Sequence, residues 1–109
     1  MSFKVEFKNY LDELHKSLCE VSDWMYENPE LGFQEFKTSK HLVDYIQKNS
    51  KSVNYPSHGL ETAFDVTFGE DGPLIVICVE YDALPEIGHA CGHNIIATAS
   101  IGCLLYTSP

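Results

Sequence analysis

The sequence predicts an α/β fold in which two helices precede a pair of strands and a loop then leads into a third helix. Over the first half of the chain, apolar residues recur every three or four positions, as they do on one face of an amphipathic helix. The second half instead contains two short segments rich in β-branched and aromatic residues, separated by a turn. No internal repeat, low-complexity tract or linker interrupts this order. The 109 residues are enough for one small domain.

The two helices are predicted from apolar stripes and from the residues that interrupt them. The first helix is expected over residues 10–27, and its stripe consists of Leu11, Leu14, Leu18, Val21 and Met25. Trp24 flanks this stripe and is expected in the core. The pattern is then broken by Asn28, Pro29 and Gly32. The second helix is expected over residues 35–49, with three buried apolar side chains, Phe36, Val43 and Ile46.

The two strands differ in the pattern of their side chains. Residues 63–68 alternate between apolar and polar, as a half-buried strand does, and GEDGP then forms a turn. Residues 74–79 read LIVICV, a continuous apolar run that is typical of a strand covered on both faces. We therefore expect neighbouring strands, with Cys78 buried as a small hydrophobe, as Cys19 would be within the first helix.

Composition excludes several classes of function. Seven basic residues against 16 acidic ones give a net charge of −9, which repels phosphate backbones and anionic membrane surfaces. No apolar run approaches the roughly 20 residues of a membrane helix, and residues 1–10 lack the apolar segment of a secretory signal. Four cysteines would suggest disulfides only in a secreted chain. We expect a cytoplasmic protein that binds neither nucleic acid nor membrane.

The segment that carries chemistry is EYDALPEIGHACGHN, residues 80–94, which follows the buried strand and precedes a helix expected from Ile95 with Asn94 as its cap. Cys91 and His93 are two residues apart and can point to one side of an extended loop, where sulfur and nitrogen would bind one borderline metal ion. The positive end of the following helix would favour a thiolate at Cys91. Asp82 is able to orient a ligating imidazole and set its tautomer.

Each of these residues also has a plainer interpretation. A Cys-x-His pair in isolation is more often coincidental than a metal site. Asp82 alone would be a residue that caps a turn. His89 is open to three interpretations, as a ligand, as a hydrogen-bond donor beside the ligands or as a solvated loop residue, and the last two are favoured. Glu80 and Glu86 are expected to face solvent or lie near the ligands rather than take part in catalysis.

The same segment resembles the hallmark of the amidohydrolase branch of the aminoacylase and carboxypeptidase family, peptidase family M-twenty. Its EYDALP-x-IGHACGHN form is most similar to the branch's dipeptidases of the β-alanyl-lysine type. NPELGFQEFKTS, residues 28–39, is similar to the branch's first conserved block, and the resemblance extends to about Gly102. Two departures are Tyr26, in a region where many relatives carry His, and Asn94, where many carry Asp.

The resemblance implies metal-dependent hydrolysis of amide bonds in dipeptides or N-acyl amino acids. It implies a zinc-peptidase-like catalytic domain with a mixed sheet between helices, of which residues 1–102 would be the N-terminal part. By the same resemblance, Cys91 and His93 are ligands of a divalent metal, one of two zinc or manganese ions, and Asp82 is the catalytic residue that steadies the site. Further ligands, a general-base Glu and a domain that forms a homodimer would lie beyond residue 109, so the 109 residues alone are expected to be inactive. The alternative is a non-catalytic relative or fragment with a structural or regulatory metal-binding loop.

The last seven residues, CLLYTSP, coincide with one reading frame of a transposase adapter used in sequencing libraries. From this coincidence we expect the genuine sequence to stop at Gly102, with residues 103–109 derived from the adapter. The alternative is that residues 103–106 simply continue an apolar helix.

Overall fold

The computed structural model describes residues 2–49 and 51–107. Its regular elements are three helices, α1 (Phe3–Glu27), α2 (Phe36–Lys48) and α3 (His93–Thr107). The described chain between α2 and α3 is irregular and contains turns and isolated β-bridges. No helix in the described ranges combines the length and apolar character that crossing a membrane requires.

Helix α1 begins at Phe3 rather than at Tyr10, where the prediction placed it. Ser2 is its N-cap, since its carbonyl accepts from Val5 N and Glu6 N at 3.1 Å and its hydroxyl lies 3.4 Å from Val5 N. The first turns escaped prediction because Phe3 and Val5 are exposed and continue no core-facing stripe. The helix ends at Glu27, as predicted.

Helix α2 begins and ends within one residue of its prediction. Val43 and Ile46 are buried as expected, but Phe36 is 50% exposed and its predicted burial is wrong. Helix α2 starts at Phe36, and the face of its first turn that points inward carries Thr38 and Ser39 instead. Both hydroxyls are hydrogen-bonded, which removes the cost of burying them.

The core lies where α1 packs along α3 and touches α2. Its buried members are Val21, Met25, Leu42, Ile46, Tyr81, Ala97, Ile101 and Leu105. Trp24 packs against this cluster, half-buried, with its ring stacked on His41 at a centroid distance of 4.0 Å. Helices α1 and α3 approach closely at Gly102, where an added Cβ would lie 3.2 Å from Leu18 Cδ1.

The two predicted strands form no ladder among the described residues. Residues 74–77 are 82, 81, 72 and 40% exposed, so the expectation that this run is covered on both faces is wrong for the structure described. All four cysteines are exposed, which corrects the predicted burial of Cys19 and Cys78. A continuous apolar run indicates burial between layers, and the described chain supplies no neighbouring strand or helix to cover this one. The mixed sheet therefore stays a prediction.

Candidate functional site

The loop that was singled out by its chemistry lies between Tyr81 and α3, and its irregular conformation confirms the prediction of a loop. Leu84 and Gly88 close a tight turn by exchanging backbone hydrogen bonds of 2.8 and 3.1 Å. Glu86 has a φ of 70° within that turn, and Gly92 has a φ of 79° just before α3. Gly92 is suited to this left-handed conformation because it has no Cβ. The loop is thus a compact structure rather than an extended segment.

Helix α3 begins at His93, and the prediction that Asn94 caps a helix starting at Ile95 is wrong. The Gly92 carbonyl accepts the first hydrogen bonds, from Ile95 N and Ile96 N at 3.0 Å each. Asn94 is buried, and its amide donates to Ser22 Oγ on α1 at 3.1 Å. The side chain of Asn94 therefore anchors the start of α3 to α1.

The imidazole of His93 lies between two carboxylates. Its Nδ1 is 2.9 Å from Asp82 Oδ1 and 2.9 Å from the Asp82 carbonyl oxygen, whereas its Nε2 is 3.3 Å from Glu80 Oε2. Both Asp82 oxygens accept hydrogen bonds, so they favour the tautomer with the proton on Nδ1. With the proton on Nδ1, Nε2 carries the lone pair that a metal ion would use, as in metal-ligating histidines. Glu80 Oε2 is then a second acceptor beside Nε2 and not its hydrogen-bond partner.

Cys91 is exposed and precedes His93 across Gly92. A thiolate and an imidazole are donors that zinc accepts, so the two side chains fit a borderline metal ion by their chemistry. Two donors are not a complete site, however. Among residues 2–49 and 51–107, the structure brings together no group of three or more His, Cys, Asp or Glu residues that could hold a metal ion.

His89 is 6% exposed, which excludes its interpretation as a solvated loop residue. Both of its ring nitrogens are buried without a hydrogen-bond partner in the described structure. Burial lowers the pKa of His89 below its ordinary value, and the neighbouring His93 lowers it further while Asp82 opposes the shift. A buried imidazole with both nitrogens unsatisfied is costly.

Glu80 lies beside the candidate ligand, one of the two positions expected for it, since its carboxylate contacts His93 Nε2. Glu80 and Asp82 are two residues apart in the sequence, and both carboxylates reach the His93 ring. Glu86, in contrast, is exposed at the tip of the turn, as expected.

The loop that joins α1 to α2 packs against the site. Ala83 N donates to the Glu30 carbonyl oxygen at 2.7 Å, and Leu31 and Ala83 form a parallel β-bridge. At Gly88, an added Cβ would lie 3.7 Å from Pro29. The two segments that were distinguished in the sequence, residues 28–39 and 80–94, are therefore in direct contact.

Comparison with known proteins identifies relatives that align with most of this chain. It is 28% identical to one of the subunits of the p-aminobenzoyl-glutamate hydrolase of Escherichia coli, over 79% of this chain and 21% of that protein. It is 31% identical to the Xaa-Arg dipeptidase of Mus musculus, over 87% of this chain and 24% of the relative. The homologues of this chain are amidohydrolases and dipeptidases.

A further homologue is N-acetylcysteine deacetylase of Bacillus subtilis, 28% identical over 81% of the chain and 27% of the relative. The chain spans about a quarter of the length of these three relatives. No family model matches it. The names of the relatives describe hydrolysis of p-aminobenzoyl-glutamate, cleavage of Xaa-Arg dipeptides and deacetylation of N-acetylcysteine. Hydrolysis of an amide bond is common to all three.

Proposed function

We propose that this chain is part of a metal-dependent hydrolase that cleaves the amide bond of dipeptides or N-acyl amino acids. The observation that carries the proposal is the contact of Asp82 with His93 Nδ1 at 2.9 Å. This contact leaves Nε2 of His93 as the ligating nitrogen, and Cys91 lies two residues earlier in the sequence. The homologues are hydrolases of amide bonds, which supports the same reaction.

Cys91 and His93 would hold the metal, and Asp82 would keep the His93 ring in its ligating tautomer. When bound, a zinc or manganese ion supplies Lewis-acid polarisation of the scissile carbonyl and lowers the pKa of a bound water. This chain's own residues hold the His93 ring and offer the buried nitrogens of His89 next to it. We propose that the remaining ligands, including those of a second ion, and a general-base Glu are supplied by residues outside this chain. The 109 residues by themselves are then inactive.

The proposal extends to the whole protein. Substrates of this class are small and carry a free carboxylate, and the relatives named as a dipeptidase and a deacetylase support this choice. A β-alanyl-lysine type of dipeptide is the substrate that the resemblance of residues 80–94 favours. The mixed sheet, the homodimer and a cytoplasmic location belong to the same proposal.

The alternative function is a non-catalytic protein that keeps a structural or regulatory metal at this loop. The ligand set among the described residues is incomplete for either function. A structural zinc site is closed by four protein ligands, whereas a catalytic site keeps one position for water or substrate. The complete ligand set in the full-length protein therefore distinguishes the two functions.

The experiment that tests the proposed function replaces Cys91 in the full-length protein. Cys91→Ala should reduce bound zinc or manganese, measured by elemental analysis, and abolish hydrolysis of a dipeptide panel that includes β-alanyl-lysine. The variant should still fold because Cys91 is exposed, and its melting temperature should match that of the metal-free parent. The matched control is Cys19→Ala, another exposed cysteine, which should leave metal content and hydrolysis unchanged.

Retained hydrolysis in Cys91→Ala would contradict the catalytic assignment. If Cys91→Ala loses metal but the parent protein hydrolyses no member of the panel, the structural or regulatory site is favoured instead.

A further inference from the structure

We infer that Glu30 is a positioning residue for the Asp82–His93 pair and that it ties the first turn of α2 to the candidate metal site. The inference deepens the proposed function. Only its predicted effect on turnover rests on that function. The orientation of His93 is measurable without any hydrolysis, so the two can fail separately.

The carboxylate of Glu30 replaces the missing cap of α2. The residue at the N-cap position, Glu35, makes no side-chain hydrogen bond to the helix. Glu30 instead accepts three hydrogen bonds, from Lys37 N at 3.2 Å, Thr38 N at 2.5 Å and Thr38 Oγ1 at 2.6 Å. Thr38 is fully buried, so its donors have no access to water. A negative charge at a helix N-terminus is favourable, and bonds to a charged acceptor are the strong ones.

The backbone of Glu30 contacts the peptide that links Asp82 to Ala83. The Glu30 carbonyl accepts from Ala83 N at 2.7 Å, and Ala83 is 4% exposed. Ala83 N and the Asp82 carbonyl belong to one planar peptide unit. That carbonyl oxygen lies 2.9 Å from His93 Nδ1. One peptide plane is therefore held by Glu30 on its N–H side and by His93 on its C=O side.

Through this geometry, the side chain of Glu30 influences the orientation of the His93 ring without contacting it. Its carboxylate fixes where the Glu30 backbone lies relative to α2, and that backbone fixes the Asp82–Ala83 peptide plane. If the carboxylate is removed, Glu30 loses its three side-chain contacts with the first turn of α2. The peptide plane can then rotate, and both Asp82 oxygens move away from His93 Nδ1.

The test measures the tautomer of His93 by nitrogen NMR in the chain labelled with 15N-histidine, at a pH where the imidazole is neutral. The parent should show a predominant Nδ1–H form of His93. Glu30→Ala and Glu30→Gln should each reduce that population by about twofold or more, because Asp82 no longer holds the ring. Glu70→Gln, at an exposed acidic residue in a turn, is the matched control and should leave the population unchanged.

Two variants of Thr38 separate positioning from a merely structural cap. Thr38→Val removes one of the three donors to Glu30 and should shift the tautomer in the same direction by a smaller amount. Thr38→Ser keeps the hydroxyl and should restore the parent spectrum. In the full-length enzyme, Glu30→Gln should lower kcat about tenfold with KM nearly unchanged.

An unchanged His93 tautomer in folded Glu30→Ala or Glu30→Gln would overturn the inference and leave Glu30 as a helix cap alone. If both Glu30 variants fail to fold, Thr38→Val decides by the same criterion. A shifted tautomer in a protein that hydrolyses nothing would support the positioning role and contradict the proposed function.

Discussion

At the scale of single residues, the ring of His93 is the best-defined part of the candidate site. It is held at Nδ1 by two oxygens of Asp82 and approached at Nε2 by Glu80. Glu80 lies just before the loop, Asp82 lies at its start, and the ring comes from the first residue of α3. The site therefore depends on how two parts of the chain meet.

Replacing the charged acceptor should weaken the metal site. Asp82→Asn keeps the size of the side chain but removes the negative charge that favours a proton on His93 Nδ1. We expect zinc affinity of the full-length protein to fall about tenfold and turnover to fall by about 10- to 100-fold. A competition titration against a chromophoric chelator measures the affinity. Asp71→Asn in the exposed turn is the control, and an unchanged affinity in Asp82→Asn would contradict the assigned role.

At the scale of elements, the packing of α1 against its neighbours holds the core together. Met25 is fully buried, whereas the adjacent Tyr26 is 64% exposed. Met25→Ala should lower the free energy of unfolding by about 2–5 kcal/mol, since it removes buried atoms and leaves a cavity. Tyr26→Ala should change it by about 0.5 kcal/mol or less. Urea denaturation followed by circular dichroism compares the two, and equal losses would show that Met25 is not a core residue.

The contact between α1 and α2 should make stability depend on pH. Burial lowers the pKa of His41 below its ordinary value, an effect that Lys48 reinforces and Asp44 opposes. The unfolded chain therefore binds a proton at His41 more readily than the folded chain does. Stability from this group is fully present above the unfolded pKa of about 6.5 and is lost as pH falls below it.

His41→Phe tests this dependence because it keeps a ring to stack on Trp24 and removes the titrating group. The melting temperature should fall less between neutral and mildly acidic pH in the variant than in the parent. His89, whose pKa is also lowered, contributes with the same sign to both proteins, so the difference between them isolates His41. Parallel pH profiles would show that His41 does not contribute.

At the scale of the whole molecule, the apolar run over residues 74–77 is exposed, and no strand or helix of the described structure covers it. An extended apolar segment with unpaired backbone groups is a template for association with other chains. Ile75→Thr should reduce self-association of the 109-residue chain, measured by sedimentation velocity, without lowering its melting temperature. Leu60→Thr, at an exposed apolar residue outside the run, should not reduce it. A parent chain that sediments as a monomer would refute the prediction.

The accuracy of the sequence predictions followed the range of the interactions that decide each feature. The end of α1, both limits of α2 and the irregular loop were predicted closely, because stripes, caps and breakers act within a few residues. The start of α1 was not predicted because its first turns continue no core-facing stripe, and the exposure of Phe36 was not because an apolar residue there fits the local pattern. Asn94 was misassigned because its partner, Ser22, is 72 positions away.

The three helices and the choice of Asp82, Cys91 and His93 as candidate site residues were predictable from the sequence, since periodicity and side-chain type are local properties. The hydrogen bond between Asp82 and His93, 11 positions apart, and the burial of His89 depend on the tertiary structure. The tertiary structure also determines that the loop over residues 28–35 supports the Asp82–Ala83 peptide, and that residues 74–77 remain uncovered among the described residues. These features depend on which distant segments meet, and a pattern of neighbouring residues carries no record of that.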